Sequence, residues 1–289
     1  MAALFLGAAA IALSPIFVRL SELGPVTTGF HRVFLSLPVV FVWIMIDRSR
    51  REIAAGPPTA KDYALLMLSG VFFAGDLALW HWSINLTTVA NATLFANFAP
   101  IFVTLGAFLL FKERFNRVFL GGLFCAVAGV AILVGVSAGT SERHLIGDGL
   151  GIATAVFYAS YILTVSRLRA KFSTATVMWW SGISTSVILL PAALITETPL
   201  WPAGVAGWTV LLGLAVVSHT GGQGLIAYAL AKLPAAFSSV GLLFQPVLAA
   251  LIAWALFAEP VTGLRGLGGL VVLLGVYLAH RGSLGGKGR

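Results

Sequence analysis

The sequence predicts an all-α polytopic membrane protein with ten transmembrane helices. Three observations predict it: an apolar composition, ten apolar runs of helical length, and basic residues concentrated in alternate gaps between those runs. Of the 289 residues, 59% are apolar before glycine is counted and only 10% are charged, whereas soluble domains contain about 25% charged residues. A single globular core cannot hide so much apolar surface, so the composition excludes a soluble enzyme, a disordered chain and a disulfide scaffold.

The apolar runs are long enough to cross a bilayer, because about 20 apolar residues in a helix span about 30 Å of hydrocarbon. Most runs are separated by proline, glycine or charged residues, but the break after the third run, LTTVAN, is weak. The bilayer core has no water to form hydrogen bonds with unpaired backbone N–H and C=O groups, so the runs must be helices. The predicted spans are 2–20, 26–46, 62–85, 89–111, 117–137, 147–166, 174–196, 206–230, 235–257 and 263–280.

The basic residues predict the orientation of the chain. With the N-terminus inside, the inside segments hold 14 of the 18 Lys and Arg residues, and only Arg19, Arg32, Arg143 and Arg265 are outside. Both termini are therefore expected to be cytoplasmic, in a bacterial inner membrane. Since the basic residues form no single patch, the expected partners are the lipid bilayer and a small-molecule substrate, with no nucleic acid. A monomer is the working expectation.

The second half of the chain repeats part of the first at a shift of 146 residues. Residues 90–130 align with 236–276 and share 11 identities in 41 columns. A proline, a Phe-x-Glu pattern and two glycines match in one register, which indicates duplication. We therefore predict repeats over 1–140 and 146–289. Five helices per repeat is an odd number, so the repeats would be inverted, as is typical of secondary transporters. A duplicated scaffold without transport activity is the alternative.

The motif shared by the repeats resembles that of the drug/metabolite transporter superfamily, EamA type. It reads Ala-x9-Pro-x12-Glu followed by glycines, and it consists of Ala90, Pro100, Glu113, Gly122 and Gly129, and again of Ala236, Pro246, Glu259, Gly268 and Gly275. Arg32 at the start of the second run also matches. Within the superfamily, the chain is most similar to the YddG-type aromatic amino acid exporters. The resemblance implies helices 1, 3, 4, 6, 8 and 9 around a central cavity, with helices 5 and 10 peripheral.

Polar residues within the apolar runs are the candidate site residues, because polar groups at membrane depth usually face a cavity or another helix. Amides donate and accept hydrogen bonds, and aromatic rings stack on a flat apolar ligand. The predicted substrate-binding residues are Trp80, His81, Asn97, Tyr158, Gln223 and Gln245. The alternative is that these side chains only join helices, or, for Trp80, that the ring faces lipid as an interfacial anchor.

Four further residues have predicted roles in coupling and gating. Asp76 and His219 are candidates for carrying a coupled proton, since both side chains can bind and release one. The alternative for Asp76 is a hydrogen bond to a neighbouring helix. Pro100 and Pro246 are predicted to kink helices four and nine and to take part in gating.

The sequence therefore predicts a secondary transporter that exports small metabolites, foremost neutral and aromatic amino acids, by alternating access. No Lys or Arg is predicted well inside a run, which argues against phosphorylated substrates. The alternatives are proton-coupled export of other apolar metabolites or drugs, a channel, and a membrane-embedded enzyme built on His81 and Asp76. The sequence has no Walker, GxSxG or HExxH motif, so we expect no catalytic residue, metal or cofactor.

Overall fold

The computed structural model describes residues 1–50, 59–135, 141–257 and 262–285. All regular secondary structure in these residues is helical, and ten helices are long and apolar enough to cross a membrane. We number them as spans in chain order: Ala2–Leu20, Pro25–Asp47, Ala60–Leu86, Ala90–Phe111, Arg117–Val134, Glu142–Leu168, Thr174–Thr196, Val205–Leu230, Ala235–Leu256 and Gly263–Leu284. The ten predicted helices are therefore confirmed, with small differences at their ends.

Five spans are single helices and five are interrupted. The single helices, in spans 3, 5, 6, 7 and 10, are Ala60–Leu86, Arg117–Val134, Glu142–Leu168, Thr174–Thr196 and Gly263–Gly285. Spans 1, 2, 4 and 9 each contain two helices, which are Ala2–Ala12 and Ser14–Leu20, Pro25–Phe34 and Leu37–Arg50, Val89–Ala96 and Ala99–Phe111, and Ala235–Leu242 and Phe244–Phe257. Span 8 runs from Val205–Gly213 through the π-helix Leu214–Gln223 into Gly224–Leu230.

Polar side chains in the gaps between apolar runs cap the helices that follow them. The side chains of Thr88, Asn116, Ser141 and Ser173 each accept a hydrogen bond from the backbone N–H three residues on, at 3.1, 2.8, 3.4 and 3.2 Å. Such a cap satisfies one of the free N–H groups at a helix start. Thr88 lies in the weak LTTVAN break, so a cap explains why the chain starts a new helix there.

Spans 4 and 9 are broken at nearly equivalent places of the two predicted repeats. Span 4 is broken at Asn97 and Phe98, just before Pro100, and span 9 is broken at Leu243, just before Pro246. Proline has no N–H, and it fits the first turn of a helix because that turn needs no intrahelical donor. The predicted kinks are therefore breaks between two helices, and a role of the prolines in gating stays a prediction.

Spans 5 and 10 pack against each other in antiparallel directions, through glycines. A Cβ atom on Gly122 would lie 2.3 Å from the backbone nitrogen of Ala279, and one on Gly129 would lie 2.5 Å from that of Val272. The two backbones approach so closely because glycine has no side chain. An inverted repeat requires this antiparallel relation between equivalent helices, and the inverted repeat itself stays a prediction.

The outer surface of the helices is strongly apolar. The side chains of Leu110, Phe124 and Ile195 are 70%, 77% and 84% exposed. Large contiguous apolar surfaces are rare on soluble monomers, but they suit contact with lipid. Together with the ten spans, this surface describes a multi-pass membrane protein.

Two further predictions are not tested by the fold. The repeat boundaries, 1–140 and 146–289, stay predictions, and so does the cytoplasmic location of both termini. Glu259, which belongs to the second copy of the motif, lies outside the described residues.

Candidate substrate cavity

A cavity of about 220 Å³ lies between seven of the spans. It is lined by Ile11, Ser14, Pro15 and Val18 of span 1, Gly29 and Arg32 of span 2, Phe73, Asp76, Leu77, Trp80 and His81 of span 3, Thr93, Ala96 and Asn97 of span 4, Thr154 and Tyr158 of span 6, Leu214 and Gln223 of span 8, and Gln245 of span 9. Pockets for drug-sized ligands measure about 300–1,000 Å³, so this cavity suits one small metabolite.

All six residues predicted to bind substrate line this cavity, although they come from five different spans. Trp80 is half-buried at the cavity wall, so the alternative of a lipid-facing anchor does not apply to it. The exposed tryptophan of span 3 is Trp82, two residues further on, with 43% of its surface accessible. Substrate binding by the six residues stays a prediction.

Span 3 provides an acidic group and an aromatic group on one face. Asp76 and Trp80 are four residues apart in a continuous helix, so they are neighbours on its surface. His81 follows, with its ring centroid 5.2 Å from that of Trp80. Opposite, a Cβ atom on Gly29 would lie 3.2 Å from Cε1 of His81, so the absence of a side chain at Gly29 leaves room for the imidazole between spans 2 and 3.

Spans 6, 8 and 9 provide hydroxyl and amide groups. The side chain of Gln223 lies beside the hydroxyl groups of Tyr158 and Tyr161. Among the described residues, the buried amide nitrogens of Gln223 and Gln245 have no hydrogen-bond partner. A buried donor without a partner costs about 1–3 kcal/mol, so both amides suit an acceptor group on a bound molecule.

Gln223 owes its place to the π-helix, of which it is the last residue. The wider turns of this segment pack closely on span 1. Ser218 Oγ donates a hydrogen bond to the carbonyl oxygen of Ala10 over 3.0 Å, and a Cβ atom on Gly222 would lie 3.2 Å from the carbonyl oxygen of Gly7. Segments of π-helix are rare, and those that occur are often at functional sites.

His219 is not among the residues that line the cavity. It is only 3% exposed, and its ring packs against Phe73, 5.5 Å between centroids. Phe73 itself lines the cavity, so it separates His219 from the open space. The two candidates for proton coupling thus differ in position, with Asp76 at the cavity wall and His219 one layer behind it. Their coupling role stays a prediction.

Arg32 is the cavity residue that the sequence prediction missed. The predicted span 26–46 includes Arg32, but the charge count assigns this residue to an outside segment. In the structure the helix of span 2 begins at Pro25, and Arg32 lies about two turns into it. The prediction that no Lys or Arg lies well inside a span is therefore wrong, and it no longer excludes phosphorylated substrates. The start of the predicted span at residue 26 is the sequence signal that could have revealed this depth.

Span 2 also differs from what the family resemblance implies, because it lines the cavity beside spans 1, 3, 4, 6, 8 and 9.

Some polar residues join helices and do not line the cavity. Asp148 of span 6 accepts hydrogen bonds from Thr87 Oγ1 and Asn91 Nδ2, at 2.7 and 3.2 Å. These bonds fix the start of span 4 against span 6.

Glu113 lies outside the membrane-spanning segments, just after the end of span 4. The preceding residue, Lys112, ends the helix in a left-handed conformation with φ of 56°. Burial raises the pKa of the Glu113 carboxyl, and the positive charge of Arg167 partly offsets that rise. The position agrees with a structural role at the helix end.

Comparison with known proteins identifies the family. The sequence pattern of the EamA-like transporter family matches residues 1–135 and, a second time, residues 145–281. The chain belongs to the EamA-like transporter family. This confirms the resemblance found in the sequence motif, and it makes the protein a membrane transporter of a small molecule.

Two further proteins are similar to this EamA-like transporter. A protein of Streptantibioticus cattleyicolor named "Probable terminal-alkyne amino-acid exporter" is 28% identical over 239 residues, which cover 81% of this chain and 80% of the relative. A protein of known crystal structure superposes with a TM-score of 0.80 over 97% of this chain and 98% of its own, at 18% identity. The second similarity supports the ten-helix fold.

Proposed function

We propose that this EamA-like transporter exports small neutral amino acids, with a preference for aromatic side chains, across a bacterial inner membrane. The observation that carries the proposal is the convergence of an indole, a phenol, an imidazole and three amides on one small cavity. A relative that is named as an amino-acid exporter supports the same substrate class.

The cavity walls match the two parts of such a substrate. Trp80, Tyr158 and Phe73 offer rings against which an aromatic side chain can stack or pack edge to face. The amides of Gln223 and Gln245 offer unpaired donors to acceptor atoms of a bound molecule.

Alternating access is the proposed mechanism. The lining residues of spans 1 and 3 belong to the later parts of those spans, and the lining residues of spans 2 and 4 to the earlier parts. The lining residues of spans 6, 8 and 9 lie around the middle of those spans. With the predicted orientation, the cavity therefore extends from the middle of the membrane towards the outside.

We propose that contacts on the predicted inner side of the cavity close the path in this conformation. The rings of Phe5 and Phe244 pack edge to face with centroids 5.7 Å apart, and Lys171 forms an ion pair with Asp62. Phe244 begins the helix after the break in span 9. The broken helices give the chain places to bend when these contacts separate, and exchange between two inverted repeats would provide the second conformation.

A second candidate is proton-coupled export of other small apolar metabolites or drugs. The position of Asp76 at the cavity wall favours it, because a carboxyl group in contact with substrate can exchange a proton for it.

Flux measurements in proteoliposomes test both candidates. We expect saturable efflux of phenylalanine, tyrosine and tryptophan that exceeds efflux of alanine. An imposed pH gradient should accelerate efflux only if transport is proton-coupled, and Asp76→Asn should then remove the acceleration. Efflux of apolar drugs without efflux of any amino acid would favour the second candidate. Flux that does not saturate would contradict a carrier of either kind.

A further inference from the structure

Two opposite charges face the central cavity from adjacent spans. Arg32 lies on the first helix of span 2 and Asp76 near the middle of span 3, and both line the cavity as half-buried side chains. In the described part of the chain, no ion pair or hydrogen bond joins them to each other. The Nε atom of Arg32 is buried and has no hydrogen-bond partner among the described residues. Each charge is therefore available to a third group.

The cost of such charges makes their presence informative. Charged side chains inside a membrane are expensive, and those that occur usually face a cavity and serve a ligand or another charge. Here the two groups interact electrostatically, but they do not form a contact pair. The cavity wall therefore carries one basic and one acidic side chain.

We propose that Arg32 and Asp76 bind the two ends of a zwitterionic head group, with Arg32 on the carboxylate and Asp76 on the ammonium group. This inference rests on the proposed function and specifies its substrate class as molecules with a free amine and a free carboxylate on one carbon. A guanidinium group presents paired N–H donors that match a carboxylate. A carboxylate of Asp accepts hydrogen bonds only, as an ammonium donor requires.

The assignment predicts selection by charge. A zwitterion satisfies both walls at once. A molecule with only an amine leaves the Arg32 guanidinium without a partner, and one with only a carboxylate leaves Asp76 without one. An unpartnered charge in a low-dielectric cavity is unfavourable, so both should bind worse than the amino acid with the same side chain. Trp80 lies one helical turn from Asp76 and lines the same cavity, so its ring is available to that side chain.

Three ligands that share a phenyl ring test the assignment in the full-length protein reconstituted in nanodiscs. L-phenylalanine carries both charges, 2-phenylethylamine lacks the carboxylate, and 3-phenylpropionate lacks the amine. Binding is measured by displacement of labelled ligand or by tryptophan fluorescence. We expect phenylalanine to bind at least about tenfold more tightly than either analogue, because hydrogen bonds to charged groups contribute that much.

Single-residue variants then test which side chain binds each end of the head group. Arg32→Gln should remove the advantage of phenylalanine over 2-phenylethylamine and keep its advantage over 3-phenylpropionate, and Asp76→Asn should do the opposite. Arg32→Lys, which keeps the charge, should restore part of the lost affinity. If a neutral variant does not fold, the ligand series on the unmodified protein and on Arg32→Lys decides.

Equal binding of the three ligands, or an equal loss for all three in both neutral variants, would overturn the assignment. It would also be overturned by a wild-type protein that binds none of them. Phenylalanine flux in proteoliposomes separates this failure from failure of the proposed function. If flux is present while the ligand series is flat, only the head-group assignment fails. If both are absent, the amino-acid function fails as well.

Discussion

Glu197 and Thr27 are joined by a hydrogen bond of 2.8 Å, from the backbone N–H of Thr27 to a carboxylate oxygen of Glu197. The other carboxylate oxygen accepts the N–H of Val26 over 2.9 Å. Glu197 follows span 7, so its side chain caps the first turn of span 2 from a distant part of the chain. It satisfies free N–H groups and complements the positive end of the helix dipole. This contact fixes the helix that places Arg32 at the cavity.

We expect Glu197→Ala to destabilise the protein by about 1–3 kcal/mol, because two backbone donors lose their acceptor. Glu197→Gln keeps one side-chain oxygen and should show a smaller loss. Thermal unfolding of the detergent-solubilised protein measures both. An alanine variant as stable as the wild type would show that the contact does not hold span 2 in place.

The glycines between spans 5 and 10 should be sensitive to the addition of one methyl group. Gly122→Ala would place a Cβ atom 2.3 Å from the backbone of Ala279, so the helices must separate, at a typical cost of about 1–3 kcal/mol. The control is Gly121→Ala, where no atom lies within 4 Å of the added Cβ. The control should be neutral or slightly stabilising, because alanine favours helix. Equal stability of the two variants in detergent would disprove the close packing of these spans.

Single cysteines test the orientation of the chain, in a background of Cys125→Ala. A membrane-impermeant thiol reagent added outside should label Glu142→Cys and Ala203→Cys, both at exposed positions near the starts of spans 6 and 8. It should label Lys61→Cys and Ala170→Cys, also exposed, only after the membrane is opened. The expectation rests on the excess of basic residues in the inside segments. The reverse labelling pattern would refute cytoplasmic termini.

The raised pKa of Glu113 makes stability depend on pH in a defined direction. A carboxyl group whose pKa is higher in the folded state stabilises the fold below its ordinary pKa of 4.5, and this contribution is lost as the pH rises through the folded-state pKa. Glu113→Gln does not titrate. The melting temperature of the wild type relative to that of Glu113→Gln should therefore be higher at acidic pH than at neutral pH. A difference that grows towards neutral pH would contradict the assigned burial.

Much of the architecture is predictable from the sequence because the bilayer limits the length, composition and backbone structure of a spanning segment. Apolar runs of helical length can only be spanning helices, and caps such as Thr88 lie in the gaps between them. The cavity residues Trp80 and Gln223 are predictable for a related reason. A polar or amphipathic side chain in the middle of a span needs a place away from lipid.

The sequence did not predict the depth of Arg32 in the membrane or the separation of His219 from the cavity. Both depend on how the helices are placed and packed. Arg32 lies near the N-terminal end of the predicted span 26–46 and is counted among the outside basic residues, whereas the helix that begins at Pro25 places it about two turns inside. His219 has the same polarity as the cavity residues, but Phe73 lies between it and the cavity. Its separation results from packing between spans 3 and 8. The π-helix that brings Gln223 to the cavity likewise depends on the close contact with span 1.

The aromatic preference of the cavity is tested by counterflow of labelled L-phenylalanine in proteoliposomes, compared for the wild type, Trp80→Ala and Trp82→Ala. Trp80 lines the cavity, whereas Trp82 is exposed on the same helix. An aromatic pair contributes about 0.5–1.5 kcal/mol beyond burial, so Trp80→Ala should lower phenylalanine counterflow about two- to tenfold and alanine counterflow less. Trp82→Ala should change neither. Equal competition by alanine and phenylalanine, with both substrates reduced by one factor in Trp80→Ala, would contradict an aromatic site in this cavity.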